Sequence, residues 1–222
     1  MKYALSKLIY VGTNRLGVSK LLPAKLYVKV AYETIMHKPL DLKNVKTFNE
    51  KLQWLKLYDH NPQYTMVVDK YAVKKYVASC IGQKYVIPTL GVWNKFNEID
   101  FGKLPDQFVL KCTHNSGGVV VCRDKANFDK EAAKKKIEKA LKKNYYWTGR
   151  EWPYKNVQSR IIAEKLIGTE TTLDDYKIMC FNGEPENAMV CSGRETGTTR
   201  YYFFDTNWEL IRCNKWGIDA PE

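Results

Sequence analysis

The stretch FVLKCTHNSGGVVVC, residues 108–122, sets two apolar runs on either side of a short polar break. Each run has the length and apolar character of a strand, and the break ends in Gly117-Gly118, so the segment predicts a β-hairpin. One cation, Lys111, stands inside the first run just before the turn. Two readings of it stand level on these residues alone. In one, the glycines make a tight turn and Lys111 carries its ammonium out to water along its stem. In the other, Ser116-Gly117-Gly118 presents backbone N–H groups unshielded by side chains, and these close over an anion beside Lys111. The segment matches neither of the two glycine-rich nucleotide fingerprints.

Upstream of the hairpin the text is helical. Thr47-Phe48-Asn49-Glu50 has the form of a capping box, followed by Leu52 and Leu55 at helical spacing, which predicts about three turns ending near Asp59. Asp69 then caps a predicted helix from Lys70 to Cys80, with Val73, Tyr76, Val77 and Cys80 as its apolar face and Gly82 as its stop. Val86 to Trp93 reads as a short strand with Pro88 at its edge. Downstream, Asp129 caps a helix that turns Ala133, Ile137, Ala140 and Leu141 inward and a lysine run (134–136, 139, 142 and 143) to water. Residues 145–154 interleave aromatic and basic side chains around Arg150 and Glu151; an ordered lid or a sugar grip is preferred there to nucleobase stacking. From Arg160 onward the pattern is of strands: 161–167, then 175–181, an Asn182-Gly183 turn and 188–191, and last 200–204 and 208–212 about a turn at 205–207. Helices first and a mostly antiparallel sheet afterwards make an α+β plan.

Composition narrows the partners. The 222 residues carry 36 Lys and Arg against 24 Asp and Glu, a net charge of +12, which suits a polyanion such as a nucleic acid, a nucleotide, an anionic glycan or a membrane surface. Six scattered cysteines show no CxxC spacing, and Cys112, Cys122, Cys180 and Cys191 lie in apolar runs, so they are expected to be reduced core residues of a cytoplasmic protein. The opening 36 residues are broken by Lys, Arg and Gly too often to supply the ~20 apolar residues of a transmembrane span. They fit either a basic amphipathic surface helix or helices packed on the domain. The second is preferred because no single wide apolar face emerges.

Glu164-Lys165-Leu166-Ile167 closes an apolar strand, and a strand edge that offers backbone groups beside a carboxylate can read a purine edge. With the segments Lys46–Trp54, Asp69–Val73, Leu104–Lys111, Asp175–Lys177 and Phe181–Gly183, it gives the chain a resemblance to the TupA-like (teichuronopeptide biosynthesis) ATP-grasp family over about residues 35–212. The resemblance implies an ATP-grasp-like α+β fold and an ATP-dependent carboxylate–amine ligase working through an acyl phosphate in capsular or cell-wall polysaccharide biosynthesis. It implies that Lys111 contacts the α- or β-phosphate, that Ser116, Gly117 and Gly118 fold over the phosphates, that Glu164 with backbone groups of Lys165 and Leu166 holds adenine, and that Asp175 meets the ribose. Lys177, Arg194 and Arg200 are candidates for phosphate or acceptor-carboxylate contacts, the two arginines as catalytic groups. His114 either faces phosphate or is inert.

The family implies Mg2+ held by acids on two strands past the matched region; none is assigned here, so these ligands are expected beyond Glu222, and the present residues alone are expected to be weak or inactive. The domains expected are a basic helical segment over 1–45, a helical region over 46–105 and the nucleotide-binding region over 106–222. The partners expected are an anionic polysaccharide or uronate-containing acceptor and an amino acid or amine donor, with no nucleic acid and with peripheral association at the inner face of the membrane. Two rival classes remain: a glycosyltransferase of polysaccharide biosynthesis, disfavoured because Asp174-Asp175 is the nearest approach to a sugar-nucleotide metal motif, and a non-catalytic nucleotide-binding or nucleic-acid-binding fragment.

Overall fold

The computed structural model describes residues 3–168, 173–194 and 196–220. The chain divides into two units, the first running to Leu166 and the second beginning at Ile167; the expected boundaries at 45 and 105 both fall inside the first.

The first unit begins with helices α1 (Ala4–Arg15), α2 (Ala24–Met36), α3 (Phe48–Tyr58), α4 (Pro62–Val68) and α5 (Ala72–Ile81). The capping box of α3 forms as its sequence predicts: Thr47 accepts from the Glu50 N–H, and the Glu50 carboxylate accepts from the Thr47 N–H. Helix α4 goes unmarked by periodicity because it is barely two turns long. Its start is legible afterwards in Asn61, which caps Gln63 ahead of Pro62 at the first helical position. Asp69 caps the backbone of Tyr71 and Ala72, so α5 starts two residues later than expected. Its inward face also differs. Val73 and Val77 are half-buried, while Tyr76 and Cys80 point to water, because the helix packs on the sheet over a narrow strip only.

The sheet of this unit comprises β1 (Thr89–Trp93), β2 (Phe108–Cys112), β3 (Val119–Cys122) and β4 (Ile161–Lys165), in the order β1-β4-β2-β3 and antiparallel throughout. β1 is shorter than the expected run from Val86, since Pro88 lacks the N–H for a ladder position, and β4 stops at Lys165 rather than Ile167. Register sorts the residues between two faces. Phe108, Leu110, Cys112, Ile161 and Ala163 point to one side, where Ala133, Ile137 and Ala140 of α6 (Lys130–Leu141) seal them into the core with Phe96, Ile99 and Leu104. Val109, Lys111, Ile162 and Glu164 point to the other. This alternation puts the one lysine of β2 opposite the apolar core.

After α6, the segment 145–154 forms a single turn, α7 (Tyr146–Gly149), and a 3-10 turn. Arg150 is 1 % exposed; its guanidinium lies 4.2 Å from the Tyr27 ring centre and 4.6 Å from that of Trp147 and donates to the Ser19 and Trp147 carbonyls. The basic member of this aromatic segment is therefore an internal rivet to the N-terminal helices.

The second unit is a four-stranded antiparallel meander, β5 (Asp175–Phe181), β6 (Glu184–Ser192), β7 (Arg200–Phe204) and β8 (Leu210–Ile211), followed by α8 (Lys215–Ile218). The Asn182-Gly183 turn has positive φ at both residues, as the favoured two-residue hairpin requires. Ala188, Val190 and Cys191 are buried, but Cys180 is exposed, because it falls on the same face of β5 as the exposed Tyr176 and Ile178. Eight helices with two antiparallel sheets among the described residues make this an α+β protein.

Candidate active site

The charged face of the first sheet gathers more cations than its own strands supply. Glu164 on β4 is 5 % exposed and receives two ammonium groups: Lys111 Nζ from β2 at 2.6 Å from Oε2, and Lys74 Nζ from α5 at 2.6 Å from Oε1. Lys74 also donates to the Ile87 carbonyl at 2.6 Å. Burial alone would push the Glu164 carboxyl up, but the hydrogen bonds from Lys111 and Lys74, with their charges, outweigh it and hold it below the usual carboxylate range. A third cation, Lys70, donates to the carbonyls of Cys112, at 3.2 Å, and Asn115. Burial and then the nearby Lys111 charge lower its pKa. Three lysines around one carboxylate leave a local excess of positive charge.

These groups line a cavity of about 280 Å³ whose remaining wall is Val73, Val77, Tyr85, Val86 and Ile87. An apolar wall ending in ammonium groups suits a ligand with a flat apolar part and an anionic part. At its edge, the Lys165 N–H donates to the Pro88 carbonyl at 3.0 Å. Pro88 has no N–H to return that bond, so the Lys165 carbonyl lacks the partner an antiparallel pair would give it. The side chain of Lys165 is exposed and Leu166 is half-buried.

The loop after β2 is pinned along half its length. Thr113 donates to the Arg160 and Gln158 carbonyls, the Asn115 amide donates to the Ala140 carbonyl at 2.8 Å, and His114 Nε2 lies 3.0 Å from the Lys143 carbonyl. The loop thereby adds a donor to the Ala140 carbonyl in the last turn of α6, which the Lys143 N–H also reaches, and meets the Lys143 carbonyl just past the helix. His114 is 2 % exposed, and burial pushes its imidazole pKa down, so it stands inward and neutral. Ser116 and Gly117 are the exposed part of the loop. Gly117 and Gly118 have φ of 99° and 61°, and a Cβ on Gly118 would lie 2.5 Å from that of Ala140, so both the turn and its approach to α6 require glycine there.

Asp69 holds this assembly to the start of β4. One oxygen caps α5; the other accepts from Arg160 at 2.6 Å, and that guanidinium lies 4.9 Å from the Tyr71 ring centre. Lys70 N–H donates to the Thr113 carbonyl.

In the second unit, Asp175 Oδ2 accepts from Lys177 at 2.7 Å and from Arg194 at 2.9 Å, with all three side chains about half exposed. Arg200 does not join them. It pairs with Ser192, whereas Asp175 pairs with Cys191, and neighbouring positions on β6 face opposite sides of the sheet.

Lys74, Lys70 and the Asp69–Arg160 pair are the site residues that the sequence left unassigned. A signal existed: Lys70 stands just ahead of α5, and Lys74 in its first turn lies between Val73 and Val77 of its inward strip. A lysine beside an apolar face reads as snorkelling unless its partner across the fold is known.

Among the described residues no group of three or more His, Cys, Asp or Glu side chains comes together that could hold a metal ion. The family model described as TupA-like ATPgrasp matches residues 50–220. No curated protein and no solved structure matches the chain.

Proposed function

The chain belongs to the TupA-like ATP-grasp family, whose fold is of the ATP-dependent ligase type, and from that premise we propose that it joins an amine to a uronic acid carboxylate in the assembly of an anionic polysaccharide. The observation that carries this reading is the Lys70, Lys74, Lys111 and Glu164 cluster on an apolar-walled cavity, beside a loop opened by two positive-φ glycines. An oxygen of the uronate carboxylate attacks the γ-phosphorus, its bond to the bridging oxygen breaks, and ADP leaves. The free amine attacks the acyl carbon of the acyl phosphate, inorganic phosphate leaves, and the nitrogen gives its extra proton to solvent. Negative charge accumulates on phosphoryl oxygens, where Lys111 and Lys70 with the N–H groups of Ser116 and Gly117 are assigned to meet it.

The apolar wall takes the base, and the Lys165 carbonyl accepts from its amino group. Glu164 acts through the lysines it orients. Asp175 is assigned by family likeness to the ribose, and Lys177 and Arg194, which it receives, are assigned to phosphate or acceptor-carboxylate contacts because such a site needs cations where negative charge gathers. The net charge of +12 suits the anionic acceptor.

Two measurements separate the parts of this reading. ATP titrated onto the protein by calorimetry is expected to bind, with at least ~10-fold weaker affinity in Lys111→Ala, since a charge-assisted contact contributes about 1.5–3 kcal/mol. ADP release with magnesium, a uronate and an amino acid is expected only when all are present. Binding of a uridine diphosphate sugar without any binding of ATP would falsify the ligase and favour glycosyl transfer.

A further inference from the structure

Helix α1 leaves most of its apolar surface uncovered. Its partly buried face carries Ser6, Ile9, Tyr10 and Thr13: the Ser6 hydroxyl donates to Glu33 at 2.5 Å, and the Tyr10 and Tyr27 ring centres are 5.7 Å apart. The opposite stripe is apolar and open, with Leu5 and Leu8 each 69 % exposed and Leu16, just past the helix, 77 % exposed. Val11 flanks the stripe, and in the connection to α2 Leu21 is 83 % exposed. A helix that packs on a domain normally hides its leucines and shows its serines; no residue of α1 is fully buried. From Leu5 to Leu16 the stripe extends about 16 Å at 1.5 Å per residue, too long to dismiss as one stray side chain.

The charge around it has one sign. Residues 1–32 contain six Lys and Arg and no Asp or Glu; the first acid is Glu33, which is 9 % exposed and occupied by Ser6 and Lys29. Lys7, Arg15, Lys20 and Lys25 are exposed. Open leucines rimmed by cations are what an anionic lipid surface selects, with the side chains entering the acyl boundary and the ammonium groups meeting the headgroups. A groove for a protein segment would not need a 32-residue stretch free of acids. No described helix is long and apolar enough to cross a membrane, so contact of this kind lies at the interface.

We propose that α1 and its connection to α2 form a docking surface for anionic membranes, holding the protein at the bilayer where lipid-linked or membrane-proximal substrates are handled. The surface is independent of the ATP reading, since it shares no residue with the lysine cluster.

Sedimentation of the whole protein with vesicles tests it. Pelleting is expected with equimolar phosphatidylglycerol and phosphatidylcholine and not with phosphatidylcholine alone, and is expected to fall several-fold when salt is raised from about 0.1 to about 0.5 M. The double variant Leu5→Glu/Leu8→Glu should lower the bound fraction by roughly 10-fold or more, and Lys7→Glu/Arg15→Glu should do so on the anionic vesicles. Because these side chains are exposed, the thermal midpoint and ATP affinity of both variants should match the parent, which excludes misfolding. Three outcomes overturn the proposal: undiminished pelleting of the leucine variant, equal pelleting on both lipids, or a concentration-dependent dimer, lost in the leucine variant, with no vesicle binding.

Discussion

Glu164 in the first unit and Asp175 in the second have the same immediate chemistry, one carboxylate receiving two cations at 2.6–2.9 Å. They differ in where that chemistry sits. The Glu164 side chain is 6 % exposed and its lysines 14 and 26 %, whereas Asp175 and its partners are 42–53 % exposed. Water screens the second cluster, leaving an arrangement that is easily exchanged for a ligand. In the first, desolvation makes each charge depend on the others, so removing one strands the rest. Equal contact lists thus describe a fixed device in one place and a loose one in the other.

The sharpest way to break this comparison is Glu164→Ala. Leaving Lys74 and Lys111 buried without their counter-ion should cost about 3–5 kcal/mol, read as a lowered denaturant midpoint. If the loss is below about 1 kcal/mol, the two clusters are alike after all. Next in size is Gly118→Ala, which adds a methyl 2.5 Å from Ala140 Cβ at a φ of 61°. A loss of about 1–3 kcal/mol is expected, with the loop displaced from α6 and ATP affinity reduced.

The pH dependence has a defined sign. The Glu164 pKa in the folded state lies below its ordinary value of 4.5, so the unfolded chain binds the extra proton more readily. Its contribution is present in full above about pH 4.5 and is lost as pH falls through the lower folded value. The stability gap between the parent and Glu164→Gln should therefore narrow as urea titrations are carried from about pH 5 to about pH 3. The smallest effect belongs to Asp175→Asn, expected within ~1 kcal/mol of the parent by thermal unfolding. Any larger change would place a buried role on a residue that the structure leaves half in water.

The sequence by itself determined what depends on neighbours along the chain. The capping box at Thr47, the hairpin at 108–122, the cap at Asp129 with the inward stripe of α6, and the Asn182-Gly183 turn are local, since each is set by residues within a few positions of one another. The family likeness was legible for a related reason, because Asp69-Lys70, Lys111, Glu164-Lys165-Leu166 and Asp175-Tyr176-Lys177 keep their order and spacing whatever the fold does with them. Only the tertiary structure decided which of these residues meet. Lys74 reaches Glu164 across 90 positions of chain, Arg160 reaches Asp69 across 91, and Arg150 crosses 131 to Ser19. It also decided that His114 turns inward, that Arg200 faces away from Asp175, and that the leucines of α1 remain uncovered. A partner that distant leaves no periodicity to read, because burial and register are properties of packed elements and not of the residues that compose them.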